Sequence, residues 1–488
     1  MKHLFVCCDG TWNAPTDLHD GVPVPTNVVR TYNALAPTAP LSAGSVAQLR
    51  YYHPGIGAGA TIWRRLWDGA FGSGIAEQIQ SAYKFLADHF NPGDRVFLLG
   101  FSRGAYTVRS LAGMLNRVGL VDRASWPEVG AAYQIYRLGT TEAAHARLSR
   151  LKASVGSRLR DIPIDVIGVW DTVGALGIPI PRHVAWLLPG LRNNRFHDTT
   201  LSPHVLNAFQ VLAIDERRAS FSPTLWEESP PPATTQHVEQ VWFPGVHSDV
   251  GGGYRETGLS DASLSWMLGK LLAAGAGLDA SLTAQLKPDP LGVLHDSFRG
   301  FFALGGSQPR SIPSLQPGAG PPPPTQAISQ TTRDRHACPP IAQAPYRETI
   351  RLASGQSISC TVYAREPWNW TGIFVEPNDV YDITASSSSS WKDAGIICDT
   401  RGYRRVWLAP FTRLRRVPAA NWFCLCAAVA NARNPAVSGI PARASTFVIG
   451  LSKRISTMRG GYLYLFANDI EFMYFNNRGS ASVNIMRL

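Results

Sequence analysis

Short, nearly uninterrupted apolar runs alternate with helical periodicity in the first part of the chain. The runs predict buried strands at residues 3–8, 95–100, 163–170 and 238–246. Apolar side chains at helical spacing predict helices at residues 72–90, 105–119 and 262–275. Fully apolar strands that alternate with helices are typical of a parallel sheet covered on both faces. Residues 1–305 are therefore expected to form an α/β domain.

The pattern changes twice in the second part of the chain. Residues 305–330 are rich in Pro, Gly and Ser and include four consecutive prolines, which predicts a semi-extended linker over 306–344. Beyond residue 345, short alternating runs separated by turn residues predict an all-β domain over 345–488.

The predicted strand at 95–100 ends in a G-x-S-x-G motif formed by Gly100, Ser102 and Gly104. On such a strand-to-helix turn the serine has a strained backbone, and a Cβ at either glycine would collide with the neighbouring strand or helix. The following helix directs its first amides, including that of Arg103, towards a developing oxyanion. Ser102 is therefore a candidate nucleophile; the alternative is a tight turn with a capping serine.

Two polar residues follow later predicted strands. Hydrolases whose serine lies on a turn of this kind have their catalytic residues in the chain order Ser, Asp or Glu, His, and these two residues fit that order. Asp171 comes directly after the third strand and His247 follows the fourth. The aspartate can fix the tautomer of the imidazole, which can accept the serine proton. These residues are the candidate acid and base.

Other assignments are open for both partners. Asp171 could instead cap a helix, with Asp249 as the main rival acid and Asp215 as a weaker one. His247 could be a surface histidine in a glycine-rich loop, with His295 as the alternative base.

A second oxyanion donor is expected from the loop after the first strand, at Gly10 or Thr11. Asp9 in the same loop would oppose an oxyanion unless its carboxylate faces away or is neutralised. Its alternative role is a turn residue that binds its own backbone.

An aromatic ridge is predicted where the substrate would enter. Trp63, Trp67 and Phe71 recur every four residues with arginines beside them, which suits a membrane interface and a cover over the site. Residues 183–191 are a second apolar segment, suited to a lid or pocket wall. Ordinary core packing is the alternative for both.

Charge and cysteine content narrow the class of protein. The net charge of +11 favours anionic surfaces, but the basic residues form no long block, so a nucleic-acid partner is not expected. Seven cysteines without paired CxxC spacing suggest core residues in a reducing compartment. The first apolar run is too short for a signal peptide, and we expect a cytoplasmic protein without a classical export signal.

Five motifs together resemble one α/β-hydrolase family, which includes the phospholipase effectors of type VI secretion systems. They are "VCCDGTWN", "GFSRGAY", "GVWDTVGALG", "AIDERR" and "WFPGVHSDVGGGY", within residues 1–305. The resemblance implies Ser102 as nucleophile, Asp171 as acid and His247 as base in ester hydrolysis, in the effectors of glycerophospholipids (phospholipase A type). It also implies secretion-system components or an immunity protein as partners, and delivery into target cells.

The C-terminal part resembles the PA-I-type galactophilic lectins, which are calcium-dependent β-sandwiches. The likeness lies in "NDVYDITASSSSSW", "GIICD" and "LYLFANDIEFMYFNNRGSASVNI". It implies a Ca²⁺ ion held by Asp469, Asn476, Asn477 and the Met473 carbonyl, which would bind sugar hydroxyls; oxygen ligands suit calcium. The family has a smaller polar residue in place of Met473, and the loop before Trp391 is longer here. The alternative is an Asn/Asp-rich β-turn.

We therefore expect a serine hydrolase that cleaves phospholipid acyl esters at a membrane surface without a catalytic cofactor. One alternative is a carboxylesterase acting on polyesters or acylated sugars. Another is a glycan-binding protein with a catalytically silent hydrolase domain.

Overall fold

The computed structural model describes most of the chain. The described residues are 1–10, 18–19, 21–42, 44–55, 73–173, 201–226, 235–298, 306–310, 312, 325–340, 346, 349–430, 444–458, 460–471 and 473–488.

Twelve strands lie in the described residues before 345. They are β1 (His3–Cys8), β2 (Leu18–His19), β3 (Val22–Pro23), β4 (Thr38–Leu41), β5 (Gly44–His53), β6 (Arg95–Phe101), β7 (Leu120–Val121), β8 (Leu159–Arg160), β9 (Ile164–Trp170), β10 (Val205–Ala213), β11 (His237–Phe243) and β12 (Gln326–Ile328).

Nine α-helices lie in the same described stretch. They are α1 (Asn27–Ala34), α2 (Ser73–His89), α3 (Arg103–Val118), α4 (Val129–Arg137), α5 (Glu142–Val155), α6 (His247–Gly251), α7 (Gly258–Ala273), α8 (Ala280–Thr283) and α9 (Gln330–Ala337). None of the described helices is both long and apolar enough to span a bilayer.

Eight of these strands form one sheet, in the order β12-β11-β10-β9-β6-β1-β5-β4. Every neighbouring pair is parallel except β4 with β5. Because parallel strands end at the same edge, the residues after β1, β6, β9, β10 and β11 converge there. The predicted parallel sheet is confirmed.

Helices cover both faces of this sheet, and alternate residues of β1 divide between them. Leu4 and Val6 pack in the core cluster that contains α2 and α3. Phe5 and Cys7 pack in the opposite cluster with residues of α1 and α7. Burial on both faces explains why the strands are apolar throughout.

The linker prediction is wrong for the described part of 306–340. β12 pairs with β11 and adds the eighth strand, and α9 follows it. Ile312 and Ile328 are buried in a cluster with Trp242 of β11. These apolar side chains pack against the sheet, although Pro and Gly are frequent in the sequence between them.

The C-terminal part contains ten strands among its described residues. They are β13 (Ser357–Tyr363), β14 (Asn369–Val375), β15 (Val380–Ala385), β16 (Ser390–Asp393), β17 (Ile396–Cys398), β18 (Leu425–Ala430), β19 (Ser445–Val448), β20 (Ser452–Ser456), β21 (Gly461–Ala467) and β22 (Asn477–Arg487).

These strands form two antiparallel sheets. One has the order β17-β16-β22-β15-β20 with β13 also paired to β22, and the other has the order β14-β21-β18-β19. Tyr381 and Val483 of the first sheet share a buried cluster with Leu425 and Leu463 of the second. The predicted β-rich C-terminal part is confirmed, and its lectin-like identity remains a prediction.

Candidate active site

Ser102 lies on the sharp turn between β6 and α3. Its backbone has φ 57° and ψ −119°, a conformation that side-chain-bearing residues seldom adopt. A Cβ at Gly100 would lie 2.5 Å from the Gly104 carbonyl oxygen, and one at Gly104 would lie 2.1 Å from the Cys8 carbonyl oxygen. The predicted steric reason for both glycines is confirmed.

The Ser102 side chain makes no capping hydrogen bond to α3. The capping alternative therefore does not account for this residue. Arg103 is the first residue of α3, so its amide lies at the N-terminus of the helix, where amides point outwards along the helix axis. This geometry suits a donor to an oxygen bound above Ser102.

Asp171 follows β9 directly and lies beside the serine turn. The Ser102 amide donates to the Trp170 carbonyl at 3.0 Å, one residue before Asp171. The side chain of Asp171 is fully buried, and its Oδ1 accepts the Ala213 amide at 3.1 Å. Its φ of 41° is uncommon for a non-glycine residue, so the local backbone is strained to hold this carboxylate in place.

His247 is the first residue of α6 and pairs with this carboxylate. Its Nδ1 lies 2.5 Å from Asp171 Oδ2 and donates to it, because an ionised carboxylate only accepts. The imidazole also contacts the rings of Phe101, at a centroid distance of 4.6 Å, and Phe221, at 5.0 Å. Since Phe101 precedes Ser102, the imidazole lies next to the serine turn.

Charges set the protonation of this pair. Burial alone would raise the pKa of the Asp171 carboxyl, but the charge of Arg310 and the hydrogen bonds from His247 and Arg310 outweigh it, and the pKa lies well below its usual range. Burial lowers the pKa of His247, against the opposing effect of Asp171. The pair at neutral pH is therefore a carboxylate and a neutral imidazole, the state that a general base needs.

Arg310 is a partner of Asp171 that the sequence did not indicate. Its Nη1 donates to Oδ1 at 2.5 Å and its Nη2 donates to Oδ2 at 2.9 Å. The guanidinium also donates to the carbonyls of Ala213 and Phe221. This two-pronged contact fixes the plane of the carboxylate, as paired guanidinium donors do.

The segment that carries Arg310 is held by both halves of the chain. Ser307 donates through its amide and hydroxyl to Glu471 of the C-terminal part, and it accepts from Trp368 Nε1 at 2.8 Å. The Gln308 amide donates to the Arg217 carbonyl at 2.7 Å. Arg310 therefore enters the site from a segment fastened to the β-rich part.

Glu216 positions the loop of His247 from the other side. Its carboxylate is fully buried, pairs with Arg218 at 2.7 Å and accepts the His247 amide at 3.3 Å. Arg218 also stacks on Phe221, 3.4 Å from the ring centroid. Glu216 lies in the "AIDERR" motif, next to the weaker candidate acid Asp215.

The alternative residues form separate contacts. His295 Nδ1 pairs with Asp249 Oδ1 at 2.6 Å, and its ring stacks on Tyr254. Asp215 accepts from the Gly245 amide and the Tyr346 hydroxyl, each at 2.7 Å. The imidazole that meets Asp171 is thus that of His247.

The second oxyanion donor expected at Gly10 or Thr11 stays a prediction. The Gly10 amide donates to Asp9 Oδ1 at 2.7 Å, so it is already engaged. Asp9 Oδ2 accepts from Thr26 and Tyr52 at 2.7 and 2.8 Å. These contacts fit the turn role and satisfy the buried carboxylate. Thr11, Trp63, Trp67, Phe71 and the segment 183–191 lie outside the described residues.

The C-terminal oxygen cluster comprises Asp469, Asn476 and Asn477, of which Asp469 and Asn477 are in hydrogen-bond contact. Asp469 is buried, and Asn477 Nδ2 donates to its Oδ2 at 3.1 Å. The Oδ1 atoms of Asn476 and Asn477 are buried without a hydrogen-bond partner. A buried carboxylate in contact with Asn477, together with two amide oxygens that lack a partner, fits a hard cation. Among the described residues, no group of three or more His, Cys, Asp or Glu side chains could hold a metal.

The sequence comparison decides the family. The family model described as "T6SS, Phospholipase effector Tle1-like, catalytic domain" matches residues 2–270, more than half of the chain. The chain belongs to this family. The predicted resemblance to type VI secretion phospholipase effectors is therefore confirmed, and membership supports a lipolytic hydrolase.

Individual relatives cover parts of the chain. The uncharacterized protein YEL023C of Saccharomyces cerevisiae is 32% identical over an alignment of 240 residues, which covers 45% of this chain and 32% of that protein. The chain thus spans about a third of the length of this curated relative.

Two solved structures share segments with the chain. A structure of the Tle1 effector bound to the VgrG spike from the type 6 secretion system is 20% identical and covers 52% of this chain and 51% of its own, with a TM-score of 0.30. The EclA N-terminal domain, a PllA-like lectin, is 21% identical and covers 27% of this chain and 95% of its own, with a TM-score of 0.18. Scores this far below 0.5 do not establish a common fold.

Arg310→Met should destabilise the protein by about 3–5 kcal/mol, because a buried carboxylate loses its cation. The measurement is the free energy of unfolding in a denaturant titration. The matched control is Arg217→Met, which removes a surface pair with Asp296 and should cost less than about 1 kcal/mol. Equal losses in the two variants would contradict the importance assigned to Arg310.

Proposed function

We propose that this protein is a serine esterase that cleaves acyl esters of glycerophospholipids with phospholipase A-type activity. The catalytic residues would be Ser102, His247 and Asp171. The observation that carries the proposal is the buried Asp171–His247 pair beside the strained turn of Ser102. Membership in a phospholipase effector family supports the lipid substrate.

In the first step, the Ser102 hydroxyl attacks the ester carbonyl carbon while His247 Nε2 takes the hydroxyl proton. The carbonyl oxygen becomes an oxyanion, to which the Arg103 amide at the start of α3 donates. The imidazolium then gives its proton to the departing alkoxide, so the products are an acyl-enzyme and a lysophospholipid. Asp171 stays ionised throughout and stabilises the imidazolium.

In the second step, water replaces the lysophospholipid. His247 takes a proton from the water, whose oxygen attacks the acyl carbon, and the proton returns to Ser102 as the fatty acid leaves. Arg310 acts through Asp171 as a positioning residue, since it holds the carboxylate in the plane that meets Nδ1.

Two other functions remain as outcomes of the tests. A carboxylesterase for polyesters or acylated sugars would use the same residues on another ester. A glycan-binding protein with a silent hydrolase domain would hydrolyse no ester. Family membership favours the lipid among these substrates.

Delivery into target cells by a type VI secretion system follows from the same family assignment, as a proposal. The solved Tle1 effector is bound to a VgrG spike. A spike protein is therefore the proposed partner during export, and an immunity protein would protect the producing cell.

Ser102→Ala should lower phospholipid hydrolysis by at least about 10³-fold, because the nucleophile is lost. Mass spectrometry of a phospholipid mixture should find lysophospholipid with the wild type and none with the variant. The control compares the histidines of two His–Asp pairs, His247 with Asp171 and His295 with Asp249. His247→Gln should be as damaging as Ser102→Ala, whereas His295→Gln should retain most activity. The opposite ranking would assign the base to His295.

The pH profile separates the same two histidines. The acid limb of kcat/KM on a soluble ester should have its midpoint below about 6.5, the ordinary histidine value, because burial lowers the pKa of His247. Hydrogen bonding to Asp249 instead raises the pKa of His295. A midpoint above the ordinary value would therefore argue against His247 as the base.

We also propose that the C-terminal oxygen cluster binds Ca²⁺ and, through it, a glycan. The orphaned Oδ1 atoms of Asn476 and Asn477 favour this second function. Asp469 would supply the charge, and the Met473 carbonyl would add a fourth oxygen. Burial raises the pKa of Asp469 to about 6.

Calcium should raise the midpoint of thermal unfolding, and more at pH 7.5 than at pH 5, because below a pKa of about 6 protons compete for Asp469. Asp469→Asn should abolish the shift. The control Asp382→Asn, on the half-buried position of β15, should keep it. A shift that is unchanged in Asp469→Asn would rule out this site.

A further inference from the structure

One stretch of the C-terminal part accounts for the net positive charge of the whole protein. Residues 400–468 contain eleven Lys and Arg residues and no Asp or Glu. The net charge of the full chain is +11, so the remaining residues are balanced. The basic residues do not form a run in the sequence, but acids are excluded from one long stretch of it.

Four large exposed apolar side chains of this stretch lie on one short element. Val406–Leu414 is a 3₁₀ helix with no buried residue, and Pro410 lies inside it. Its large apolar side chains are exposed to different degrees: Val406 92%, Trp407 66%, Phe411 48% and Leu414 54%. Several large apolar side chains exposed on one short element of a folded protein indicate an interaction site.

Two arginines that follow the helix attach its C-terminal end to aromatic side chains of the β-rich part. Arg415 stacks on Trp422 at 5.2 Å, and Arg416 stacks on Phe466 at 3.7 Å from the ring centroids. The Arg416 amide donates to the Asp469 carbonyl at 3.1 Å. The helix is therefore held at its base, while its apolar side chains face water.

Other arginines frame the exposed surface. Arg405 precedes the helix and Arg413 lies in its last turn, and both are exposed. Since no acid lies within residues 400–468, no carboxylate of this stretch neutralises them. Aromatic and aliphatic side chains bordered by cations have the composition of an element that lies in a membrane interface.

We propose that residues 405–414 dock the protein on an anionic lipid bilayer. Trp407 and Phe411 enter the head-group region, and Arg405 and Arg413 contact lipid phosphates. Charge complementarity selects this occupant, because cations beside an anionic surface each strengthen attachment. The exposed aliphatic side chains of Val406 and Leu414 favour a bilayer over a nucleic acid. The proposal goes beyond the esterase assignment and does not require it.

The test measures co-sedimentation of the full chain with vesicles of ether-linked lipids. Such lipids present phosphate head groups but no acyl ester, so binding is separated from hydrolysis. Vesicles of phosphatidylcholine alone are compared with vesicles that also contain phosphatidylglycerol. The wild type should bind the anionic vesicles more tightly, and added salt should weaken this binding.

Two variant pairs with matched controls locate the surface. Arg405→Glu with Arg413→Glu should weaken binding at least about 25-fold, at about fivefold for each lost cation. The control reverses two exposed arginines of α5, Arg147→Glu with Arg150→Glu, and should change binding little. Trp407→Ser with Phe411→Ser should weaken binding by about tenfold or more. Its control is Ile397→Ser, which removes an apolar side chain that is 71% exposed on β17.

Several results would overturn the proposal. They are equal binding to neutral and anionic vesicles, equal losses in the control variants, or retention on immobilised heparin without any vesicle binding. The last result would identify a soluble polyanion as the occupant. Loss of hydrolysis with unchanged vesicle binding in Ser102→Ala would support docking as a property separate from catalysis. A wild type that bound vesicles but hydrolysed no ester would refute the esterase proposal and not the docking proposal.

Discussion

The buried carboxylate of Asp171 is the constraint on which the rest of the site depends. A charge withdrawn from water is tolerated only when it is paired and its lone pairs are used. Four N–H groups meet it, from Ala213, His247 and both terminal nitrogens of Arg310. These donors belong to three segments that are distant in the chain. The parallel sheet brings the ends of β9 and β10, with Asp171 and Ala213, to the same edge. His247 reaches the carboxylate from the loop after β11, and Arg310 reaches it from the segment before β12.

Features with a local steric or periodic cause could be predicted from the sequence. Gly100 and Gly104 predict the Ser102 turn, because a Cβ at either position would collide with the backbone in a strand-to-helix turn of this shape. Continuous apolar runs indicated a sheet buried on both faces for the same reason: burial leaves a regular pattern. The choice of Asp171 and His247 as candidates followed from their positions after strands.

Pairings between distant charges left no such pattern. Arg310 lies in a Pro- and Gly-rich stretch, where its composition suggested a linker, and nothing local marks its contact with a carboxylate 139 positions away. Glu216 was visible in a motif, but its contact with the His247 amide depends on how two loops meet. Gly10 had the expected position after β1, yet its amide is used by the preceding side chain, a contact that strand order does not determine.

The family match ends at residue 270, whereas Arg310 and β12 come later in the chain. Through Ser307, this later segment is bonded to Glu471 and Trp368 of the β-rich part. The β-rich part therefore cannot be exchanged without affecting the segment that carries Arg310. If recombination replaced all residues after 270, Arg310 would be lost. The new segment would then have to provide another cation for Asp171, or water would have to reach the Asp171 carboxylate. Evolution of new C-terminal modules on this scaffold is thus restricted by a single ion pair inside the neighbouring domain.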